Sequence, residues 1–127
     1  MIMRALVITV SDRAAAGAYD DRSGPIIEQA LVDLGADVGR VVVADGEPLR
    51  AELAARLAKG YDVIITTGGT GLAPRDLTPE ITADFLTRDL PHLAAAIARS
   101  GADQGVPTAL LSRGVAGTAG RTLVVNL

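Results

Sequence analysis

A run of β-branched residues that drops straight into glycines and emerges as a helix start constrains this chain more than any other feature. Val63-Ile64-Ile65-Thr66-Thr67, entered from Asp62, reads as a buried strand and Gly68-Gly69-Thr70-Gly71 as a turn. The segment then passes through Arg75-Asp76 to Thr78-Pro79-Glu80, which reads as the opening of a helix. Strand, glycine turn and helix entry in that order is how α/β domains build anion-binding crevices beyond their strand ends. A bare Gly-Gly pair would be an ordinary tight turn. Here glycines, threonines and an Arg-Asp pair converge outside one strand, and that concentration points to a ligand site.

The rest of the chain alternates in the same way. Ala5 to Val10 is a continuous apolar run, the mark of a strand covered on both faces. Ser11 to Gly24 reads as a polar loop. Pro25 is preset for the first turn of a helix whose Ile26, Ile27, Ala30, Leu31 and Leu34 recur at helical spacing before Gly35. Val38 to Val43 is a second strand, and Pro48 opens a second helix striped by Leu49, Leu53 and Leu57 and ended by Gly60. After the glycine loop, one helix carries Ile81, Phe85 and Leu86 and stops before Pro91; another runs from His92 to Arg99 and ends at Gly101. Ala109 to Ser112 and Thr122 to Asn126 read as two strands, close enough to pair antiparallel, since a parallel pair needs a crossover of about a dozen residues. The order β-α-β-α-β-α-α-β-β predicts a single three-layer α/β/α domain over residues 1–127, with a mainly parallel twisted sheet and one antiparallel strand.

Composition narrows the partners. Hydrophobic residues make up 49% of the chain but aromatics only 2%, so the core must be built of Ala, Val, Leu and Ile. The net charge is −3 and Lys59 is the only lysine, so the basic face that captures nucleic acid is missing. Without cysteine there is no disulfide or thiolate metal site, which fits a reducing, cytoplasmic setting. The apolar N-terminal run is too short for a signal peptide and ends in Ser11-Asp12-Arg13, so it reads as the first core strand. No apolar stretch approaches the ~20 residues of a membrane span.

Parallel sheets of this kind bind ligands beyond the carboxyl ends of their strands. Three such ends are polar here: Ser11-Asp12-Arg13, Asp45-Gly46-Glu47, and Thr67 with the glycine loop. Right-handed crossovers would put all three on one rim. Asp45 and Asp76 could hold a Mg²⁺ that neutralises a polyphosphate, or one of them could act as a base. Each could equally be a capping or loop residue. Ser112-Arg113 is read at a further strand end, as site or as turn. Known phosphate motifs do not match: no lysine follows the glycines as Walker A requires, and there is no GxGxxG. His92 is the sole histidine, at a helix start, so neither a Ser/His/Asp triad nor a zinc site is indicated.

TTGGTGLAPRDLTPE resembles the signature of the MoaB and Mog proteins of molybdenum-cofactor biosynthesis. The similarity extends to the SDR strand end, the loop Gly17-Ala18-Tyr19-Asp20-Asp21, SGPIIEQAL, VVVADGEPL and VPTALLSRGVAGTAGRTLVVNL, which together span nearly the whole chain. The resemblance implies a three-layer α/β fold, commonly a homotrimer, that binds molybdopterin, with ATP and Mg²⁺ in its active members. These adenylylate molybdopterin and release pyrophosphate; contacts with the molybdopterin-synthesis or molybdenum-insertion proteins follow. It places Asp45 and Asp76 in Mg-ATP handling and adenylyl transfer. Gly68, Gly69, Thr70 and Gly71, with Thr67 before them, fall on the nucleotide-binding loop, and Ser11 and Ser112 on segments lining the pterin and phosphate site. Family members continue after the last strand as a loop, NLPG(S/N)P, and a C-terminal helix. This chain stops at Asn126-Leu127: either a tail follows beyond this sequence, or these parts are lacking and the site is then expected to be open on one side. Two other activities fit the same resemblance: a non-catalytic molybdopterin-binding protein, and a nucleotide hydrolase of the competence-damage type.

Overall fold

A computed structural model describes residues 1–127. Strand β1 (Arg4–Val10) lies inside the sheet, flanked in parallel by β2 (Asp37–Val43) and β3 (Val63–Thr67). Beyond β3 come β6 (Thr122–Asn126), β5 (Ala116–Ala119) and the two-residue edge strand β4 (Arg88–Asp89), giving the order β2-β1-β3-β6-β5-β4. β6 is parallel to β3, whereas β5 is antiparallel to both of its neighbours. The sheet is therefore mainly parallel, with β5 as the one reversed strand.

The apolar run of β1 divides by pleat, as successive strand residues must. Leu6, Ile8 and Val10 pack with Ile64 against Leu49 and Leu53 of helix α3 (Glu47–Leu57) and Ile81 of α4 (Thr78–Phe85). Ala5 and Val7 pack against Leu31 of α2 (Ser23–Asp33) on the opposite face. Two covered faces make three layers. A short helix α1 (Asp12–Ala15) follows β1, and α5 (Pro91–Asp103) packs beside β5 and a 3₁₀ helix at Pro107–Leu111.

Four details differ from the sequence reading. Ala109 to Ser112 is not a strand: Pro107 fixes a helical φ at its start, and Leu110 and Leu111 remain exposed instead of entering the sheet. The reversed strand is Ala116–Ala119, joined to β6 by the two-residue turn Gly120-Arg121. The loop Ser11–Gly24 contains α1, whose start is capped by the Ser11 hydroxyl accepting from the Ala14 amide at 3.2 Å. Helix α4 ends at Phe85, leaving Arg88–Asp89 to pair with β5, and α5 runs on through Gly101 to Asp103.

Register decides where the ligand rim falls. Val10 lies opposite Val43, Thr9 opposite Thr67, and Thr66 opposite Asn126. Four parallel strands thus end level, and Ser11, Asp45, Gly68 and Leu127 emerge along one edge.

Candidate functional site

The glycine loop is shaped by two close approaches. Gly68 has φ +100°, and a Cβ there would strike the Val10 carbonyl. Gly69 has φ +69°, and a Cβ there would strike Thr78 and the Asp45 carboxylate. Only glycine occupies such a backbone region at no steric cost. The Gly68 amide is spent on the Leu127 carbonyl at 3.2 Å, but no backbone carbonyl accepts from the amides of Gly69, Thr70 or Gly71. Successive unspent amides in a turn form the kind of concavity that holds an anion.

On one side of the loop lies a polar cleft of ≈ 270 Å³ lined by Ser11, Asp12, Arg13, Asp45, Gly69, Arg75 and Asp76 with Val10. Asp45 sits two residues beyond β2. Its Oδ2 accepts from the Leu77 amide at 3.0 Å and from Thr78 Oγ at 3.4 Å, and its Oδ1 from the Gly46 amide at 2.7 Å. Asp76 closes a local turn, its Oδ2 accepting from the Ala73 amide at 3.0 Å while its own amide donates to the Ala73 carbonyl at 2.9 Å. Asp12 links Asp45 to the residue before Asp76: Oδ1 accepts from the Asp45 amide at 3.0 Å, and Oδ2 from Arg75 Nε at 2.7 Å and Nη2 at 2.6 Å.

On the other side, Thr70 and Ser112 are shared by two clefts, of ≈ 270 and ≈ 320 Å³. The first is floored by small residues, among them Ala94, Ala98, Gly101, Ala109 and Gly114. Gly71 lines the second. Small side chains leave room for a flat group to lie against the backbone.

The candidate residues therefore sort into three places. Ser11, Asp45, Gly69 and Asp76 share the polar cleft, with the Ser11 hydroxyl also paired to the Tyr19 hydroxyl at 2.8 Å. Thr70, Gly71 and Ser112 line the neighbouring clefts, and Ser112 follows the 3₁₀ helix rather than a strand. Thr67 and Gly68 lie beneath: Thr67 Oγ donates to Ser23 Oγ at 3.1 Å at the start of α2. Asp12 stands in the polar strand end that marks the rim but carries no signal of its own, and Arg75 and Arg113 stand out in the sequence only within the pairs Arg75-Asp76 and Ser112-Arg113.

No three His, Cys, Asp or Glu side chains converge as a ready-made metal cage. Of the three carboxylates that line the polar cleft, Asp12 is paired with Arg75, and Asp45 and Asp76 nevertheless fit Mg²⁺, which is usually bound through one or two carboxylates together with substrate phosphates.

A family model described as a probable molybdopterin binding domain matches residues 6–127. The chain is 42% identical over 112 residues to a molybdenum cofactor biosynthesis bifunctional protein of Synechococcus elongatus, covering 87% of this chain but only 35% of that protein. It is 36% identical over 126 residues to a molybdopterin adenylyltransferase of Helicobacter pylori, covering 95% of this chain and 71% of the relative. The solved structure of MogA superposes with a TM-score of 0.93 at 52% identity, over 98% of this chain and 82% of that one.

Proposed function

The chain belongs to the MoaB/Mog family of molybdopterin-binding domains, and we propose that it adenylylates molybdopterin with Mg-ATP in molybdenum-cofactor biosynthesis. The observation that carries the reading is the placement of Asp45 and Asp76 in one cleft, on the flank of a loop whose amides are unspent.

In this reaction a terminal phosphate oxygen of the pterin attacks the α-phosphorus of ATP. A new P–O–P bond forms, the α–β anhydride breaks, and the electron pair leaves on pyrophosphate. The protein has little covalent work to do; it must align the two phosphates and offset their charge. The Gly69, Thr70 and Gly71 amides serve the first need as fixed donors that cost no reorganisation. Asp45 and Asp76 alone would repel a polyphosphate; they would serve the second need by holding the Mg²⁺ that ATP carries, which would supply the charge neutralisation. Ser112 and Thr70 offer hydroxyls to the pterin's phosphate, with the small-residue floor beneath the ring.

The reading includes a cytoplasmic homotrimer that meets the proteins making molybdopterin and inserting the metal. No helix is long and apolar enough to cross a membrane. The direct test is mass spectrometry of the product formed from molybdopterin and Mg-ATP. Adenylylated molybdopterin is expected; unchanged pterin bound to the protein would leave a binding protein instead.

A further inference from the structure

Arg113 stands beside the glycine loop, where an arginine would ordinarily be taken for a phosphate ligand. Its nitrogens are already committed. Nε donates to the Gly71 carbonyl at 2.8 Å, Nη2 to the Asp76 carbonyl at 2.6 Å, and Nη1 to the two Glu80 oxygens at 2.8 and 2.7 Å. Its own amide donates to the Thr70 carbonyl at 2.9 Å. One residue thus grips the segment Thr70–Asp76 at both ends from outside and ties it to the first turn of α4 through Glu80.

We infer that Arg113 is a positioning residue: with Glu80 it holds Thr70–Asp76 in the shape that presents the loop amides and Asp76, and does not itself touch the ligand. As an isolated surface ion pair, Arg113–Glu80 would add little. What distinguishes it is the fork. A planar guanidinium can serve two carbonyls and a carboxylate together, whereas a lysine ammonium on a flexible stem cannot reproduce that geometry. Glu80 orients the guanidinium and, by its hydrogen bond, raises the Arg113 pKa above its ordinary value. The two residues lie 33 positions apart in sequence, so the clamp exists only in the folded chain.

The kinetic half of the test rests on the adenylyl-transfer reading; the other half does not. Hydrogen exchange of residues 70–77, melting temperature, Mg-ATP binding by calorimetry, and pterin-dependent pyrophosphate release are measured on wild type, R113K, R113A and E80A. R113K should resemble R113A, and E80A should move the same way. Exchange in 70–77 rises about tenfold while β1 and β3 keep their protection. Turnover falls about tenfold or more, as expected when reacting groups are misplaced by a fraction of an ångström to an ångström, with the melting temperature of R113K within a few degrees of wild type. The inference is overturned if R113K keeps wild-type protection and turnover, because a cation alone would then suffice. It is also overturned if E80A, which frees the guanidinium, binds Mg-ATP more tightly. If wild type releases no pyrophosphate, the proposed reaction falls, and exchange and Mg-ATP binding still decide the role of Arg113 by the same comparisons.

Discussion

Asp45 and Thr78 meet across the rim, the Asp45 Oδ2 accepting from Thr78 Oγ at 3.4 Å and from the adjoining Leu77 amide at 3.0 Å. One carboxylate therefore anchors the start of α4 from outside that helix and also faces the cleft it shares with Asp76. A candidate catalytic group that doubles as a helix cap can be probed for both roles separately.

Asp45→Asn keeps an acceptor for the α4 start but loses the charge. Its denaturation midpoint should stay close to wild type while turnover falls by roughly 10²-fold, the scale of a lost electrostatic contribution. Asp45→Ala removes the cap as well and should cost about 1–2 kcal/mol of stability. Equal stability in the two variants, read by urea titration, would remove Asp45 from the helix-capping role.

Gly69→Ala tests whether the loop is pinned by sterics. With φ at +69° and a Cβ directed into Thr78 and Asp45, the variant should lose about 1–3 kcal/mol. This is harsher than a loop glycine ordinarily suffers, and harsher than a ligand-only role for Gly69 would predict. Wild-type stability in Gly69→Ala would show that the turn relaxes freely.

Asn126 is the buried polar joint under the site. Its Nδ2 donates to Thr66 Oγ at 2.8 Å and Thr82 Oγ at 3.1 Å, and its Oδ1 accepts from the Val115 amide at 3.0 Å. Removing one partner so that buried groups lose theirs costs about 1–3 kcal/mol, so Asn126→Ala should unfold at clearly lower denaturant with an unchanged slope. An unshifted midpoint would mean that water replaces the side chain without loss.

The parts of the fold written in local chemistry were legible in the sequence. β1, β2 and β3 announce themselves as apolar or β-branched runs, and the helices after β1 and β2 by aliphatic residues at helical spacing between proline and glycine. β5 is Ala-Gly-Thr-Ala, too small to signal a strand; it is one because the Gly120-Arg121 turn folds it back on β6. β4 has two residues and exists only through its pairing with β5. The Ala109–Leu111 run carried an apolar signal without a sheet to join, since Pro107 had already started a helical turn. At the site, the glycine cluster was visible as a cluster but not its division of labour: Thr67 and Gly68 face the scaffold while Gly69 to Gly71 face the clefts. Arg113 reaches Gly71 from 42 residues away, a meeting that no local pattern encodes.

Adenylyl transfer is tested most directly by pyrophosphate release from Mg-ATP by the purified protein, with and without molybdopterin, beside an Asp76→Asn control. Adenylyl transfer predicts release that requires the pterin and falls by roughly 10²-fold or more in the control, while the control still binds molybdopterin. Release without the pterin, or undiminished release in Asp76→Asn, would contradict it.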